Sequence, residues 1–266
     1  MNFKVSIADI IISFEIDYLP FNNKMKEILK KFITKSSEYD IQVKLNRVDN
    51  YEIINDRWDY SITSIKNNIM KIKKWDIYGK IDFIKNTASF KVHKDSDNFF
   101  LILKTILLNF LPKFNGLLLH SSSVAISNYG IIGSGISGSG KSTFAKKLES
   151  EGCTIIHDEI TLIRKINNKF NIYSTPFNYN PKHIVNYLPE KELKKIFFLK
   201  RKSNYYSGNI DKKNFYKEIL KLIFGYNQTN KYTYNLILNI LNELYDNITI
   251  KELSFNLNDS LMDKIL

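Results

Sequence analysis

Cysteine is almost missing from this 266-residue sequence, which contains only Cys153. A single cysteine cannot build an internal disulfide framework, so the disulfide-rich secreted class is excluded and a reducing, cytoplasmic location is expected. The N-terminal apolar stretch is interrupted by Asp9, which is wrong for a secretory signal. The longest apolar run, Phe99 to Leu111, is too short to cross a bilayer. We therefore expect no membrane association.

Arginine is also scarce. The net charge is +12, but only four of the 39 basic residues are arginine, and the lysines are scattered along the chain. Since arginine makes most of the bidentate contacts to bases and phosphates, nucleic-acid binding is not favoured. Its one local support is the Tyr205-Tyr206 pair among basic residues. A basic surface can equally attract a nucleotide or an acidic peptide.

The first part of the chain has the pattern of a β-rich module. From Phe3 to Val92 the apolar residues come in short alternating runs, with one helical interlude around Asn23 to Thr34. Trp75 to Ile84 and Ala88 to Val92 predict a hairpin. We assign residues 1–95 to a β-rich N-terminal domain, a candidate for substrate recognition.

Residues 96–266 are assigned to a second, α/β domain. Asp95 to Asp97 provide an N-cap region for a helix that runs through Phe110, at the junction. The pattern then changes to strand, glycine loop, helix and strand. The strands expected next are Leu117–Ala125, Gly130–Ile132, Cys153–His157, Thr161–Lys165, Phe170–Ser174 and Lys195–Leu199, and the helices are Lys141–Glu151, Lys212–Gly225 and Tyr232–Tyr245. The strands at 117–125 and 130–132 are joined by a turn at residues 128–130.

The strongest motif is Gly135-Ile136-Ser137-Gly138-Ser139-Gly140-Lys141-Ser142, which matches the phosphate-loop pattern at every fixed position and lies between an expected strand and an expected helix. Glycines let the backbone amides approach phosphates closely, and the helix start adds its own amides and dipole. Lys141 is expected to reach the β- and γ-phosphates of ATP, and the Ser142 hydroxyl to ligate Mg²⁺. The residues expected to bind the nucleotide are Gly135, Ser137, Gly138, Ser139, Gly140, Lys141, Ser142 and Thr143.

Two adjacent carboxylates follow the next strand. Asp158 and Glu159 stand where a phosphate-loop protein holds its metal-directed acid. At the end of a strand one carboxylate can face the metal and the other an acceptor hydroxyl; the alternative is an ordinary acidic turn. His120, before the loop, is a candidate functional residue or a structural hydrogen-bonder. His93, His157 and His183 have weaker claims, and no cysteine and histidine spacing indicates a zinc site.

These residues resemble a known family. Leu119-His120, the loop from Gly135 to Thr143, and Ile155 to Glu159 are similar to the catalytic core of HPr kinase and of shorter HPr-kinase-related enzymes. The resemblance implies the fold shared with phosphoenolpyruvate carboxykinases and magnesium-dependent phosphate transfer from a nucleotide to a serine hydroxyl. It implies Asp158 as the base, Glu159 as a metal-associated acid and His120 near the transferred phosphate.

One departure changes the expected substrate. The glycine- and arginine-bearing signature of the bifunctional HPr kinase/phosphorylase is missing, and Ser174-Thr175-Pro176-Phe177 looks like the smaller kinases that phosphorylate lasso-peptide precursors. We therefore expect a peptide or small protein carrying serine as the partner, and neither HPr nor phosphorolysis. A kinase of a small hydroxylated metabolite such as free serine, and a non-catalytic nucleotide-binding regulator, remain alternatives. The oligomeric state and the preferred base are left open.

Overall fold

The computed structural model describes residues 2–17, 19–49, 61–66, 68–74, 77–93, 99–177, 188–201, 204–224, 231–256, 258 and 260–265. The chain divides into two compact units, Met1–Phe110 and Leu111–Leu266. Each unit contains one large β-sheet with helices, so the architecture is mixed α and β. No helix in the described ranges is long and apolar enough to cross a membrane.

The first unit contains a mixed sheet. The second, fourth and eighth strands run parallel to one another, and all other neighbouring strands are antiparallel. Its order is β3-β1-β2-β4-β8-β7-β6-β5. The strands are β1 (Asn2–Ile7), β2 (Ile10–Ile16), β3 (Ile33–Thr34), β4 (Ile41–Val48), β5 (Ser61–Lys66), β6 (Ile69–Lys74), β7 (Ile77–Asp82) and β8 (Thr87–His93). The hairpin expected over residues 75–92 is confirmed as β7 and β8, although Trp75 lies outside the described residues.

The helical interlude of the first unit begins and ends earlier in the chain than expected. Helix α1 spans Leu19–Ile28 and a 3-10 turn spans Lys30–Phe32. Residues 33–34, expected to be helical, are instead strand β3, because Ile33 and Thr34 pair with β1.

Helix α2 (Phe99–Phe110) belongs to the first unit, whereas the sequence placed it in the second domain. The reason is its packing: the Phe99 ring meets Phe14 edge-on, with centroids 6.2 Å apart, and the Phe110 ring lies 6.1 Å from that of Phe83. The division therefore falls after Phe110 and not near residue 95. The cap region at residues 95–97 lies outside the described residues.

The described residues of the second unit form a sheet of eight strands in the order β10-β9-β12-β13-β14-β16-β15, with β11 beside β9. An additional parallel pairing of β10 with β14 closes five of them into a ring. The strands are β9 (Gly116–Ile126), β10 (Tyr129–Ser134), β11 (Thr154–His157), β12 (Ile160–Ile166), β13 (Lys169–Tyr173), β14 (Lys191–Leu199), β15 (Tyr206–Asn209) and β16 (Thr249–Ser254). The helices are α3 (Lys141–Ser150), α4 (Lys212–Ile219), α5 (Lys231–Asn247) and α6 (Met262–Ile265).

Two apolar clusters hold this unit together. One places α4 and α5 against the sheet through residues such as Phe215 and Leu241, and the other places α3 there through Phe144 and Leu148. Strand β9 is buried along its length except at His120, where exposure is intermediate. Its continuous apolar and serine sequence fits a strand covered on both faces.

Two expectations for this unit are corrected. The helix expected over residues 212–225 ends at Ile219, because the chain then lies beside β9: the His120 N–H donates to the Leu222 carbonyl and the Phe224 N–H donates to the Leu118 carbonyl. Gly225 lies outside the described residues. The turn expected at residues 128–130 lies one residue earlier, with Ser127 at φ +52° and Tyr129 already paired in β10.

Candidate functional site

The glycine loop, residues 135–140, connects β10 to α3 in the expected order of strand, loop and helix. Gly138 and Gly140 have φ of +77° and +100°, the left-handed region in which a side chain is strained. Gly140 is the N-cap of α3, and no described side chain caps this end. The amides of the first helical turn therefore have no intrahelical acceptor and remain donors toward the loop.

Lys141 is the first residue of α3, and its ammonium closes the glycine loop. Its Nζ donates to the carbonyls of Gly135 at 2.9 Å and Ile136 at 3.2 Å. Burial lowers the pKa of Lys141, and the carboxylates of Glu159 and then Asp158 partly oppose this by favouring the charged form. The lysine and the acidic pair are therefore close enough to interact electrostatically.

Strand β9 brings these groups together. Ser121 pairs with Ser134, the last residue of β10, and His120 pairs with Ile160, the residue that follows Glu159. The Ser121 N–H donates to the Glu159 carbonyl at 3.1 Å. The start of the glycine loop and the acidic pair are thus held at neighbouring positions along one strand.

The two carboxylates differ in environment. Glu159 is exposed, whereas Asp158 is partly buried and its Oδ1 has no hydrogen-bond partner among the described residues. A buried acceptor without a donor is costly, so this oxygen fits a role that includes an external donor such as a hydroxyl.

The hydroxyl groups of the loop region fall into two kinds. Ser137, Ser142 and Thr143 are exposed, while Ser139 is buried and its Oγ has no partner in the described part of the chain. No group of three or more histidine, cysteine, aspartate or glutamate side chains that could hold a metal occurs within the described ranges. Ser142 and Glu159, expected from the sequence to ligate magnesium, are both exposed and offer oxygen, the donor type that suits this ion; their metal role stays a prediction.

His120 lies partly buried beside the loop. Its ring meets that of Phe224 edge-on with centroids 5.7 Å apart, and the Ser134 hydroxyl donates to its carbonyl at 3.1 Å. These contacts join it to the end of β10, and its catalytic role stays a prediction. His93 lies in the first unit, and His183 lies outside the described residues.

Two further residues organise the site: Ser122, which the sequence did not single out, and His157, which had only a weaker claim. The buried Ser122 hydroxyl lies 2.9 Å from the Lys141 carbonyl and 3.2 Å from that of Gly133, so it connects β9 to both ends of the glycine loop. His157, next to Asp158, accepts a hydrogen bond at Nε2 from the Thr175 N–H at 2.8 Å. The run of serines after His120 was the available signal for Ser122.

No protein-family model and no curated protein matches the chain. Among solved structures, the HPr(Ser) kinase/phosphatase from Coxiella burnetii is similar over 55% of this chain and 91% of its own, with 12% identity and a TM-score of 0.30. A likeness at this TM-score carries no conclusion about this chain, so its function is inferred from its own residues.

Proposed function

We propose that the chain is a magnesium-dependent kinase that transfers the γ-phosphate of ATP to a serine hydroxyl of a peptide or small protein. The observation that carries the proposal is the arrangement around Lys141: its ammonium closes the glycine loop and interacts with both Glu159 and Asp158. An anion-binding loop beside a pair of acids is the combination that phosphoryl transfer needs.

Binding of the triphosphate is assigned to the glycine loop. The amides of the loop and of the first turn of α3 donate to phosphate oxygens, and Lys141 exchanges its contacts with Gly135 and Ile136 for phosphate contacts. The oxygens of Ser142 and Glu159 would hold magnesium, which supplies charge neutralisation on the phosphates when bound.

Transfer is assigned to Asp158. Its Oδ1 accepts the proton of the acceptor hydroxyl while the hydroxyl oxygen forms a bond to the γ-phosphorus and the bond to the leaving oxygen of ADP breaks. The absence of an internal donor to Oδ1 in the described residues supports this role. Serine in a peptide, as in a ribosomal natural-product precursor, is proposed as the acceptor because of the motif resemblance.

The test is transfer of label from γ-labelled ATP to serine peptides in the presence of magnesium, followed by mass spectrometry. We expect Lys141→Ala to lose nucleotide binding and transfer, and Asp158→Asn to lose transfer while nucleotide binding is retained. Matched controls are Lys146→Ala, exposed on α3, and Asp246→Asn on α5, which should both transfer normally.

Three other outcomes would overturn parts of this proposal. Full transfer by Asp158→Asn would contradict the base assignment. Label on free serine but on no peptide would indicate a metabolite kinase, and tight ATP binding with no transfer to any acceptor would indicate a regulator.

A further inference from the structure

A second cation lies at the glycine loop. Strands β10 and β14 run parallel, with Ser134 beside Phe198, so the chain that leaves β14 passes the loop that leaves β10. A methyl group at Gly138 would lie 3.3 Å from Nη2 of Arg201 and 3.8 Å from its Cζ. The guanidinium of Arg201 therefore rests against the middle of the loop.

The position of Arg201 is set by the backbone that precedes it. The Lys200 N–H donates to the Leu253 carbonyl at 2.8 Å, which continues the pairing of β14 with β16. A methyl group at Gly135 would lie 3.2 Å from the Leu199 carbonyl oxygen. The end of β14 is thus packed against the beginning of the loop, and Arg201 follows it directly.

Lys200 is neutralised by two glutamates, whereas Arg201 has no carboxylate partner among the described residues. Lys200 Nζ lies 3.3 Å from a carboxylate oxygen of Glu218 and 3.4 Å from one of Glu252. No described carboxylate lies within ion-pair distance of the exposed Arg201 side chain. Lys141, the other loop cation, has Glu159 and Asp158 near it. The uncompensated positive charge at the loop therefore belongs to Arg201.

We propose that Arg201 binds the phosphates of the nucleotide as a second cation, together with Lys141. The proposal rests on the proposed function and deepens it. A guanidinium presents two parallel N–H groups to phosphate oxygens, an arrangement that lysine cannot reproduce. Arg201 lies beside Gly138 in the middle of the loop, whereas the acids assigned to transfer interact with Lys141. We therefore assign Arg201 to phosphate binding, which ATP and ADP share, and not to transfer.

The same region does not favour nucleic acid. Tyr205 was half of the aromatic pair that supported that alternative, but its hydroxyl donates to the Lys264 carbonyl at 3.0 Å. The Lys264 ammonium lies 4.7 Å from the centre of the Tyr205 ring. This ring is therefore used in packing near the C-terminus.

The experiment is titration calorimetry of the full chain with magnesium-ATP and magnesium-ADP. We expect Arg201→Ala to raise the Kd for both nucleotides about tenfold or more, with Arg201→Lys between it and the wild type. Lys200→Ala is the matched control, since it removes the same charge one residue away, and its Kd should stay within about twofold.

The outcomes separate this inference from the proposed function. No nucleotide binding by the wild type would overturn both. Binding by the wild type that is unchanged in Arg201→Ala, or reduced equally in Lys200→Ala, would overturn the role of Arg201 alone. Thermal unfolding of each variant checks the fold, which an exposed side chain should leave intact.

Discussion

His157 is a buried titratable residue next to the proposed base. It is 2% exposed, and its imidazole holds the Thr175 N–H at Nε2 while a hydrogen bond with the Tyr173 backbone fixes the ring. Burial lowers the pKa of His157 from 6.5 to about 4, and the bond with Tyr173 opposes this only in part. The neutral ring therefore links the strand before Asp158 to the segment after β13.

This shift predicts a pH dependence of stability. Between pH 6.5 and 4 the unfolded chain binds a proton at His157 that the folded chain does not, so stability is present above pH 6.5 and is lost as the pH falls toward 4. Between pH 7 and pH 5 the loss in unfolding free energy should be about 2 kcal/mol. Urea unfolding at both pH values should show this loss in the wild type and a smaller one in His157→Gln. Equal losses would contradict the assignment.

Two adjacent buried serines on β9 form a natural pair for comparison. Ser122 Oγ bonds to backbone carbonyls, whereas Ser123 Oγ is buried with no partner in the described residues. Ser122→Ala should cost about 1 kcal/mol of unfolding free energy, because a buried hydrogen bond is lost. Ser123→Ala should be neutral or stabilising, since it removes a desolvated hydroxyl. Chemical denaturation of both variants checks this, and a larger loss in Ser123→Ala would be the contrary result.

At the scale of elements, β10 and α3 are packed so closely that glycine is required between them. A methyl group at Gly133 would lie 2.4 Å from Cδ1 of the fully buried Phe144. At Gly130 the nearest atom would be Cδ1 of Ile172 at 2.7 Å, the end of a flexible side chain that can rotate away. The same substitution therefore meets a rigid ring at one position and a movable methyl at the other.

Gly133→Ala should cost about 1–3 kcal/mol of unfolding free energy by overpacking, and Gly130→Ala clearly less. Gly133→Ala should also weaken nucleotide binding, because a displaced Phe144 shifts the first turn of α3. Adding Phe144→Leu should recover part of the loss. Denaturation and ATP titration of the three variants test this, and equal costs at the two glycines would show that the packing is not tight.

Elements with strong local patterns were predictable from the sequence. Strands β12 and β13, and the strand, loop and helix around Lys141, appear where periodicity and glycine placed them. Helix α4 was predicted too long because Leu222 to Phe224 continue an apolar pattern, although in the structure they form a turn that is hydrogen-bonded to β9. Strand β16 was missed altogether, because its pairing with β14 is a long-range contact.

At the scale of the whole molecule, the predicted boundary was displaced for a related reason. Helix α2 follows a change of pattern in the sequence, but Phe99 and Phe110 pack against rings of the first unit. At the site, too, the sequence did not reveal a contact between distant residues. A motif identified the glycine loop and the acidic pair, but Arg201 reaches the loop only through the pairing of β10 with β14. Short-range patterns were readable, whereas contacts between distant strands were not.

Strand β9 is paired on both sides, by β10 and β11 in one half and by β12 and the segment at residues 222–224 in the other. We therefore expect its amides to take up deuterium only when the second unit opens as a whole. A single peptide from β9, followed by mass spectrometry, therefore measures the opening free energy of that unit while the first unit is present. Because a ligand slows such exchange by the factor 1 + [L]/Kd, exchange in this strand reports what the second unit binds without any attached probe.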